Sequence, residues 1–373
     1  MRILVFGMSG RLTGGIETFL LNMNAEMSND CIFDYVIMDG KNVHSGQIKK
    51  RGGGSFIVTP VKRNPLKSFI QLNSVIRKNR YNHPVAYFNL FSMVHVVPVM
   101  LCIINGYRIV LHAHNSRLQQ KSRLYYILHL TGRFLLKKIK CVQLTNSKES
   151  ALFMFGKNNK AGLIYNAIDV DRFRFNMKGR NEIRTKYGIE EKIVVGYSGR
   201  LSELKNPVFL VDIFKEFHQL CNNSVLLIAG DGELREVVER RIKEYGLSKD
   251  TILAGTVENI DDYYMAFDLF IMPSKSEGLG IALVEAQTSG LPVVTSKDTV
   301  PDIATVTERC IRVSLENTAD VWAKAARDLY VKTKNSGNDR NVGYDVVRKT
   351  NYNIKKESGR LERVLLGAGS FNE

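Results

Sequence analysis

At 373 residues, with 44% apolar and 9% aromatic side chains, the chain is long for one core and comfortable for two water-soluble domains. Its five cysteines, Cys31, Cys102, Cys141, Cys221 and Cys310, are scattered without CxxC or metal-ligand spacing, which argues for inert thiols in a reduced, cytoplasmic setting. The formal charge of +16 is unevenly placed: residues 1–175 hold 25 Lys/Arg against 8 Asp/Glu, the remainder 28 against 29. A cationic first half implies an anionic partner, either a membrane surface or nucleic acid, and solvated charge with no partner is the plainer alternative.

Residues 1–7 carry one basic residue and a short apolar run, the pattern of a first strand and not of a signal peptide. From there short β-branched runs alternate with longer amphipathic segments, which predicts βαβ units and parallel sheets. Strands are predicted at 3–6, 33–38, 55–58, 85–88, 108–112 and 141–145, and helices at 15–27, 65–79, 122–137 and 148–155. The uncharged stretch between Arg80 and Arg108 has the length of a membrane span, but His83, Asn89, Pro98 and Asn105 interrupt it. A buried strand over 85–90 and a core helix over 92–104 fit better. Residues 166–180 read as loop and linker. A second series follows, with strands at 193–198, 224–229, 251–254, 269–272 and 292–295. Helices fit 207–219, 234–245, 260–266, 280–289 and 318–331, and a polar loop at 332–341 precedes a last helix over 353–366. The expected class is therefore α/β, with two doubly wound domains facing across a cleft that would hold a ligand at the strands' carboxyl ends.

Within the second series, residues 276–285 place Glu277 and Glu285 eight positions apart, so in a helix their carboxylates share one face. Gly278 and Gly280 would free backbone N–H groups at the helix start, where anions are favoured. Such a segment offers acceptors for sugar hydroxyls beside donors for phosphate. Arg200 and Lys205, after the strand ending at 198, could hold a diphosphate leaving group, and Pro207 suits the first turn of the next helix. Gly230–Asp231–Gly232 is an ordinary turn composition as much as a ligand contact. In the first half, Gly14–Gly15 opens a helix after the first strand, either a tight βα turn or a close approach to phosphate; Gly7 and Gly10 complete no GxGxxG, which disfavours a dinucleotide. His112 and His114 end a strand on one face, and no third ligand suggests a metal.

Taken in order, Gly14–Gly15, His112, Asn166–Ala167–Ile168–Asp169 with Phe173, Gly199–Arg200 with Lys205–Asn206, Gly230–Asp231–Gly232 and the Glu277/Glu285 pair resemble the family 4 glycosyltransferases of GT-B fold over nearly the whole chain. Pro65–Leu66–Lys67, His112 to Ser116 and Tyr352–Asn353–Ile354 look like exopolysaccharide and capsule-type members. The resemblance implies an acceptor-side domain at 1–175, a nucleotide-sugar domain at 176–345 and a terminal segment 346–373 crossing back to the first. It implies retaining, metal-independent transfer of a hexose or N-acetylhexosamine, with no cofactor, from a nucleotide-sugar such as a UDP-sugar to a lipid-linked or oligosaccharide acceptor. Arg200 and Lys205 would bind the diphosphate, Glu277 the sugar, Glu285 the ribose, and the backbone of Gly278, Leu279 and Gly280 the sugar and phosphates. Gly14, Gly15, Asn166, Gly199, Gly230, Asp231 and Gly232 would complete the donor site. His112, with Glu277, Arg200 and Lys205, would form the catalytic set, and His114, Asn115 and Ser147 would lie on the acceptor side.

Two departures stand out. Ala167 replaces the usual glycine and must avoid positive φ or carry strain, and Leu279 replaces an aromatic. The basic first domain would sit peripherally at the inner face of the membrane. Nucleic acid is not expected, because no recognition motif appears and aromatics do not interleave the basic clusters. The rival functions are a GT-B sugar-nucleotide epimerase, which would isomerise donor without acceptor, and a non-catalytic membrane-associated subunit.

Overall fold

The computed structural model describes residues 1–10, 15–94, 96–118, 122–137, 139–278, 280–337 and 339–368. The chain forms two compact units, Met1–Ala167 together with the segment from Ile354 onward, and Ile168–Asn353. The boundaries thus fall before residue 175 and after residue 346. Ile168 bridges Asn353 in parallel and donates its N–H to the Tyr352 carbonyl at 2.9 Å, so residues 168–175 and 346–353 are built into the second unit.

The first unit runs β1 (Arg2–Phe6), α1 (Gly15–Glu26), β2 (Ile32–Ile37), α2 (Ser45–Lys50), β3 (Ser55–Ile57), α3 (Pro65–Asn79), β4 (Val85–Leu90), α4 (Val97–Ile104), β5 (Arg108–Ala113), α5 (Arg123–Leu136), β6 (Val142–Thr145), α6 (Lys148–Phe155) and β7 (Gly162–Leu163). Its parallel seven-stranded sheet has the order β3-β2-β1-β4-β5-β6-β7. Successive strand residues face opposite sides: Ile3 and Val5 enter one core, Leu4 and Phe6 the other. The second core collects α3, α4, α5 and α6 through Leu72, Ile76, Val99, Cys102, Leu136 and Met154.

The second unit runs α7 (Met177–Tyr187), β8 (Ile193–Ser198), α8 (Pro207–Leu220), β9 (Ser224–Ala229), α9 (Arg235–Glu244), β10 (Thr251–Gly255), α10 (Ile260–Ala266), β11 (Leu269–Met272), α11 (Ile281–Thr288), β12 (Val293–Ser296), β13 (Cys310–Val313), α12 (Ala319–Asn335) and α13 (Asn341–Val347). Its parallel six-stranded sheet is ordered β10-β9-β8-β11-β12-β13. The last helix, α14 (Ile354–Leu366), returns to the first unit, where Ile354, Leu361, Val364 and Leu365 join the α1 core. Glu357, fully buried on α14, accepts the Tyr165 N–H at 2.8 Å. Among the described residues no helix is long and apolar enough to cross a membrane. Cys31, Cys102 and Cys310 are buried free thiols, and burial pushes Cys31 and Cys310 up to about 12.

At the amino end of the first sheet, buried Asp34 on β2 gathers three neighbours. It accepts Arg2 Nη2 at 2.7 Å, His83 Nε2 at 2.7 Å and the Gly54 N–H at 2.5 Å. Burial alone would raise its carboxyl, but the hydrogen bonds from His83, Arg2 and Gly54 outweigh it and pull the group to about 2. A depressed carboxyl gives stability that is full above its unfolded value near 4 and lost as pH falls through about 2. Asp34→Asn is expected to cost about 2 kcal/mol at neutral pH and to flatten the acid limb of stability between those values, read by denaturant unfolding across pH.

Candidate functional site

In the second unit the site residues gather where the sheet order reverses, at the carboxyl ends of the adjacent strands β8 and β11. The loop after β8 and the loop after β9 are joined by backbone. Gly199 N–H donates to Ala229 O at 3.1 Å, Leu201 N–H to Asp231 O at 3.0 Å and Leu234 N–H to Leu201 O at 3.0 Å. A Cβ on Gly230 would come within 1.9 Å of the Gly199 carbonyl oxygen, and one on Gly232 within 2.4 Å of that of Leu201. These two glycines are explained by loop packing without a ligand. Asp231 accepts from Arg235 at 3.3 Å, and Arg200, largely exposed, donates Nε to Glu233 at 3.1 Å.

Lys205 and Glu277 face each other. The ammonium donates to both carboxylate oxygens, at 2.6 and 2.8 Å, and the Glu277 side chain is only 6% exposed. The Glu277 N–H donates to Thr299 O at 3.1 Å, fixing the loop after β11. Asn206, next to Lys205, is the one non-glycine among the described residues at positive φ, 57°, and Pro207 follows in the first turn of α8. The short Asn side chain tolerates that left-handed turn, which starts α8 directly after the cation.

The predicted shared helical face of Glu277 and Glu285 is not what forms. α11 begins only at Ile281, because Gly280 takes a left-handed conformation at its N-cap, so Glu277 lies in the loop and Glu285 alone rides the helix. Glu285 is instead reached through a hydroxyl chain: Ser198 Oγ meets Tyr264 Oη at 2.6 Å, and Tyr264 Oη donates to Glu285 Oε2 at 2.8 Å. Burial pushes the Glu285 carboxyl up to about 7, against the pull of the Tyr264 hydroxyl and of Arg172. Arg172 itself is held by Asp261, with Nη2 at 2.6 Å. The sequence did not single out Tyr264, Arg172 or Asp261. Arg172 stands in a stretch read as linker, and Tyr264 is one tyrosine of a short buried helix.

In the first unit, His112 is fully buried on β5, and its Nδ1 lies 2.6 Å from Tyr87 Oη. Among the described residues Tyr87 Oη has no other acceptor, so the phenol donates and the imidazole proton sits on Nε2, which is buried without a protein partner. His114 Nε2 lies 2.9 Å from Asn89 Oδ1, and the two imidazoles are 4.1 Å apart. Burial, then the neighbouring His114, holds His112 far below its usual range; burial pushes His114 down to about 3. Both rings are neutral at physiological pH, which makes His112 a hydrogen-bond donor and a poor base.

The remaining candidates separate. Ser147 does not stand free for an acceptor: it is the N-cap of α6 and accepts the Ser150 N–H at 3.1 Å. Asn115 lies just past β5. Asn166 closes the first unit, with a buried Oδ1 that has no partner among the described residues, and Ala167 keeps negative φ, so the lost glycine brings no strain. Gly15 opens α1 with open space around its Cβ position, and Gly278 likewise. Glu17 is buried and accepts the Ser9 N–H at 3.1 Å. Gly14 and Leu279 lie outside the described residues. Among the described residues no group of three or more His, Cys, Asp or Glu could hold a metal ion.

Residues 179–332 match the family model described as Glycosyl transferases group 1. The chain is 27% identical over 337 residues to a protein of Bacillus subtilis (strain 168) named glycosyltransferase EpsF, with 85% of each chain covered. It is 24% identical over 260 residues to the UDP-Gal:alpha-D-GlcNAc-diphosphoundecaprenol alpha-1,3-galactosyltransferase of Escherichia coli, covering 65% of this chain and 66% of that one. Among solved structures, Anabaena Alr3699/HepE in complex with UDP matches with a TM-score of 0.80 at 18% identity, covering 98% of this chain and all of that one. WaaG, a glycosyltransferase involved in lipopolysaccharide biosynthesis, matches with a TM-score of 0.67 at 15% identity over 98% of this chain and 100% of its own. The shared architecture is the GT-B fold.

Tyr87→Phe is expected to release the His112 tautomer. Long-range proton–nitrogen NMR should show a single Nε2–H form in the parent and a mixture in the variant, with a stability loss of about 1–3 kcal/mol from the unmet Nδ1 lone pair.

Proposed function

We propose that this glycosyltransferase, whose residues 179–332 form a glycosyl transferases group 1 domain, moves a hexosyl or N-acetylhexosaminyl unit with retention from a UDP-sugar to a lipid-linked saccharide in bacterial surface polysaccharide synthesis. The observation that carries the donor half is the Lys205–Glu277 pair, at 2.6 and 2.8 Å, at the ends of adjacent strands with Arg200 and Glu285 nearby in sequence and fold. A nucleotide-sugar needs cations for its diphosphate beside acceptors for its hydroxyls, and here each group waits satisfied by the other. The names of the Escherichia coli relative and of the Anabaena protein, which mention UDP-linked and diphosphoundecaprenol-linked species for those proteins, support the choice of donor and acceptor class.

In this reading the diphosphate draws Lys205 away from Glu277 and takes Arg200 as a second partner. Glu277, released, accepts hydroxyls of the transferred sugar, and ionised Glu285 accepts those of the ribose. The acceptor hydroxyl oxygen forms its bond to the anomeric carbon on the face from which phosphate departs. The electron pair of the breaking C–O bond goes to the phosphate oxygen, which also takes the acceptor proton, leaving UDP and a retained glycoside. Lys205 and Arg200 stabilise the charge that grows on that oxygen, in the place a metal ion would otherwise fill. His112, held neutral, offers its Nε2–H as a hydrogen-bond donor at the carboxyl end of the first sheet. By residue count the first unit holds 27 Lys/Arg against 9 Asp/Glu, and we assign it to the anionic inner face of the membrane, where a lipid-linked acceptor resides.

Lys205→Ala and Glu277→Ala are each expected to lower kcat/KM by about a hundredfold to a thousandfold with the fold intact, and NMR of the product should show the donor's anomeric configuration. Inverted product, or undiminished transfer by either variant, would overturn the reading. Affinity for UDP should rise with pH through about 7 as the Glu285 carboxyl ionises. Glu285→Gln should flatten that rise, and Tyr264→Phe should move it to higher pH, because the phenol favours the ionised form. Thermal-shift titration of UDP across pH measures all three.

A further inference from the structure

We propose that the outer face of α5 lies on an anionic lipid bilayer and that the cavity at the carboxyl end of α5 takes the phosphate of a phospholipid headgroup; this rests on the membrane assignment above and gives it an address. Residues 40–148 contain no Asp or Glu and 19 Lys/Arg. α3, α4, α5 and α6 all pack on one face of the first sheet, so the outward surface of that layer comes almost wholly from the acid-free segment.

α5 buries only His129, Gly132 and Leu136. On its open side Leu124, Ile127 and Phe134 are 62%, 59% and 72% exposed, with Leu128 and Leu135 beside them. At helical spacing these form one stripe, interrupted by Thr131, whose hydroxyl donates to the Ile127 carbonyl at 3.0 Å. An ordinary surface helix turns charges outward; this one turns leucine, isoleucine and phenylalanine outward, with Arg123 and Lys137 at its ends. The helix cannot roll to hide them. A Cβ at Gly132 would stand 2.0 Å from the Met93 carbonyl oxygen, so that face is pressed against the loop before α4.

At the end of α5 a cavity of about 520 Å³ opens between α5 and the segment after α6. Arg133, Lys137 and Lys157 line it over an apolar floor that includes Met93, Leu136 and Met154, and no carboxylate lines it. Among the described residues these three cations make no ion pair. Gly156, at φ 91°, leaves room for the Arg133 guanidinium: a Cβ there would fall 2.6 Å from Nη2. A second copy of this face would set cations against cations. A phospholipid supplies both the missing negative charge and apolar chains for the stripe.

Flotation of the full-length protein with phosphatidylcholine vesicles, with and without phosphatidylglycerol, tests this. The parent should bind only the phosphatidylglycerol vesicles. Arg133→Gln with Lys157→Gln, and separately Ile127→Ser with Phe134→Ser, should each weaken binding roughly thirtyfold, while thermal stability and stabilisation by UDP stay as in the parent. Parent-like binding by the Arg133/Lys157 variant would overturn the headgroup site and leave membrane attachment standing. Indifference of the parent to both vesicle types would overturn both. A concentration-dependent dimer lost in the Ile127/Phe134 variant, without vesicle binding, would give the face to a second copy and overturn the proposal.

Discussion

Lys205 and Glu277 are 72 residues apart in the chain, and they meet only because β8 and β11 run parallel side by side. That adjacency is where the second sheet changes direction: the chain builds outward from β8 through β9 to β10, then returns to the other side of β8. The two loops leaving this point must diverge, and the gap between them is where a ligand can enter. The same constraint acts in the first sheet, where β1 lies between β2 and β4. There Gly7 follows β1 at φ 108°, and a Cβ on it would strike the Asn89 carbonyl oxygen at 2.4 Å. Asn89 in turn holds His114, and its β-ladder partner is His112. Each unit therefore gathers its polar side chains at its own reversal.

The charge states that result are opposite in kind. In the second unit, a cation and a carboxylate meet across a contact that is 27% exposed on the Lys205 side and 6% on the Glu277 side, so a ligand must exchange one partner for another. In the first unit, burial strips the histidines of charge and leaves hydrogen bonding alone. Glu285 lies between these extremes, with burial set against a phenol and a nearby guanidinium.

Much of this was legible in the sequence because parallel sheets announce themselves: β-branched runs such as 193–198 and 224–229 are buried on both faces and carry no polar alternation. The elements that were not legible form for reasons other than apolar periodicity. α7, in a stretch partly read as linker, is set by its caps: Asn176 accepts the Gly179 N–H at 2.8 Å and Gly188 closes the helix in a left-handed turn. α13 spans only seven residues, too few to show a helical period, and packs its Gly343 against the Gln287 carbonyl. The residue types of the candidate site could be read, but not their geometry. The helix expected over 280–289 forms from Ile281, after a left-handed Gly280, and leaves Glu277 in the loop outside it. Gly230 and Gly232 serve neighbouring backbone, and Ser147 serves its own helix, because turn and cap residues look the same in sequence whether or not a ligand follows.

The parallel bridge between Ile168 and Asn353 means that the second unit leaves and rejoins the first through two strands of backbone lying side by side. In connectivity it is an insertion, and the α14 that follows finishes the host. Recombination that exchanges the inserted cassette at this seam alters no core residue of the host unit, so the two units can be inherited separately. A cut within α14, by contrast, damages the unit that was begun first and leaves the cassette whole.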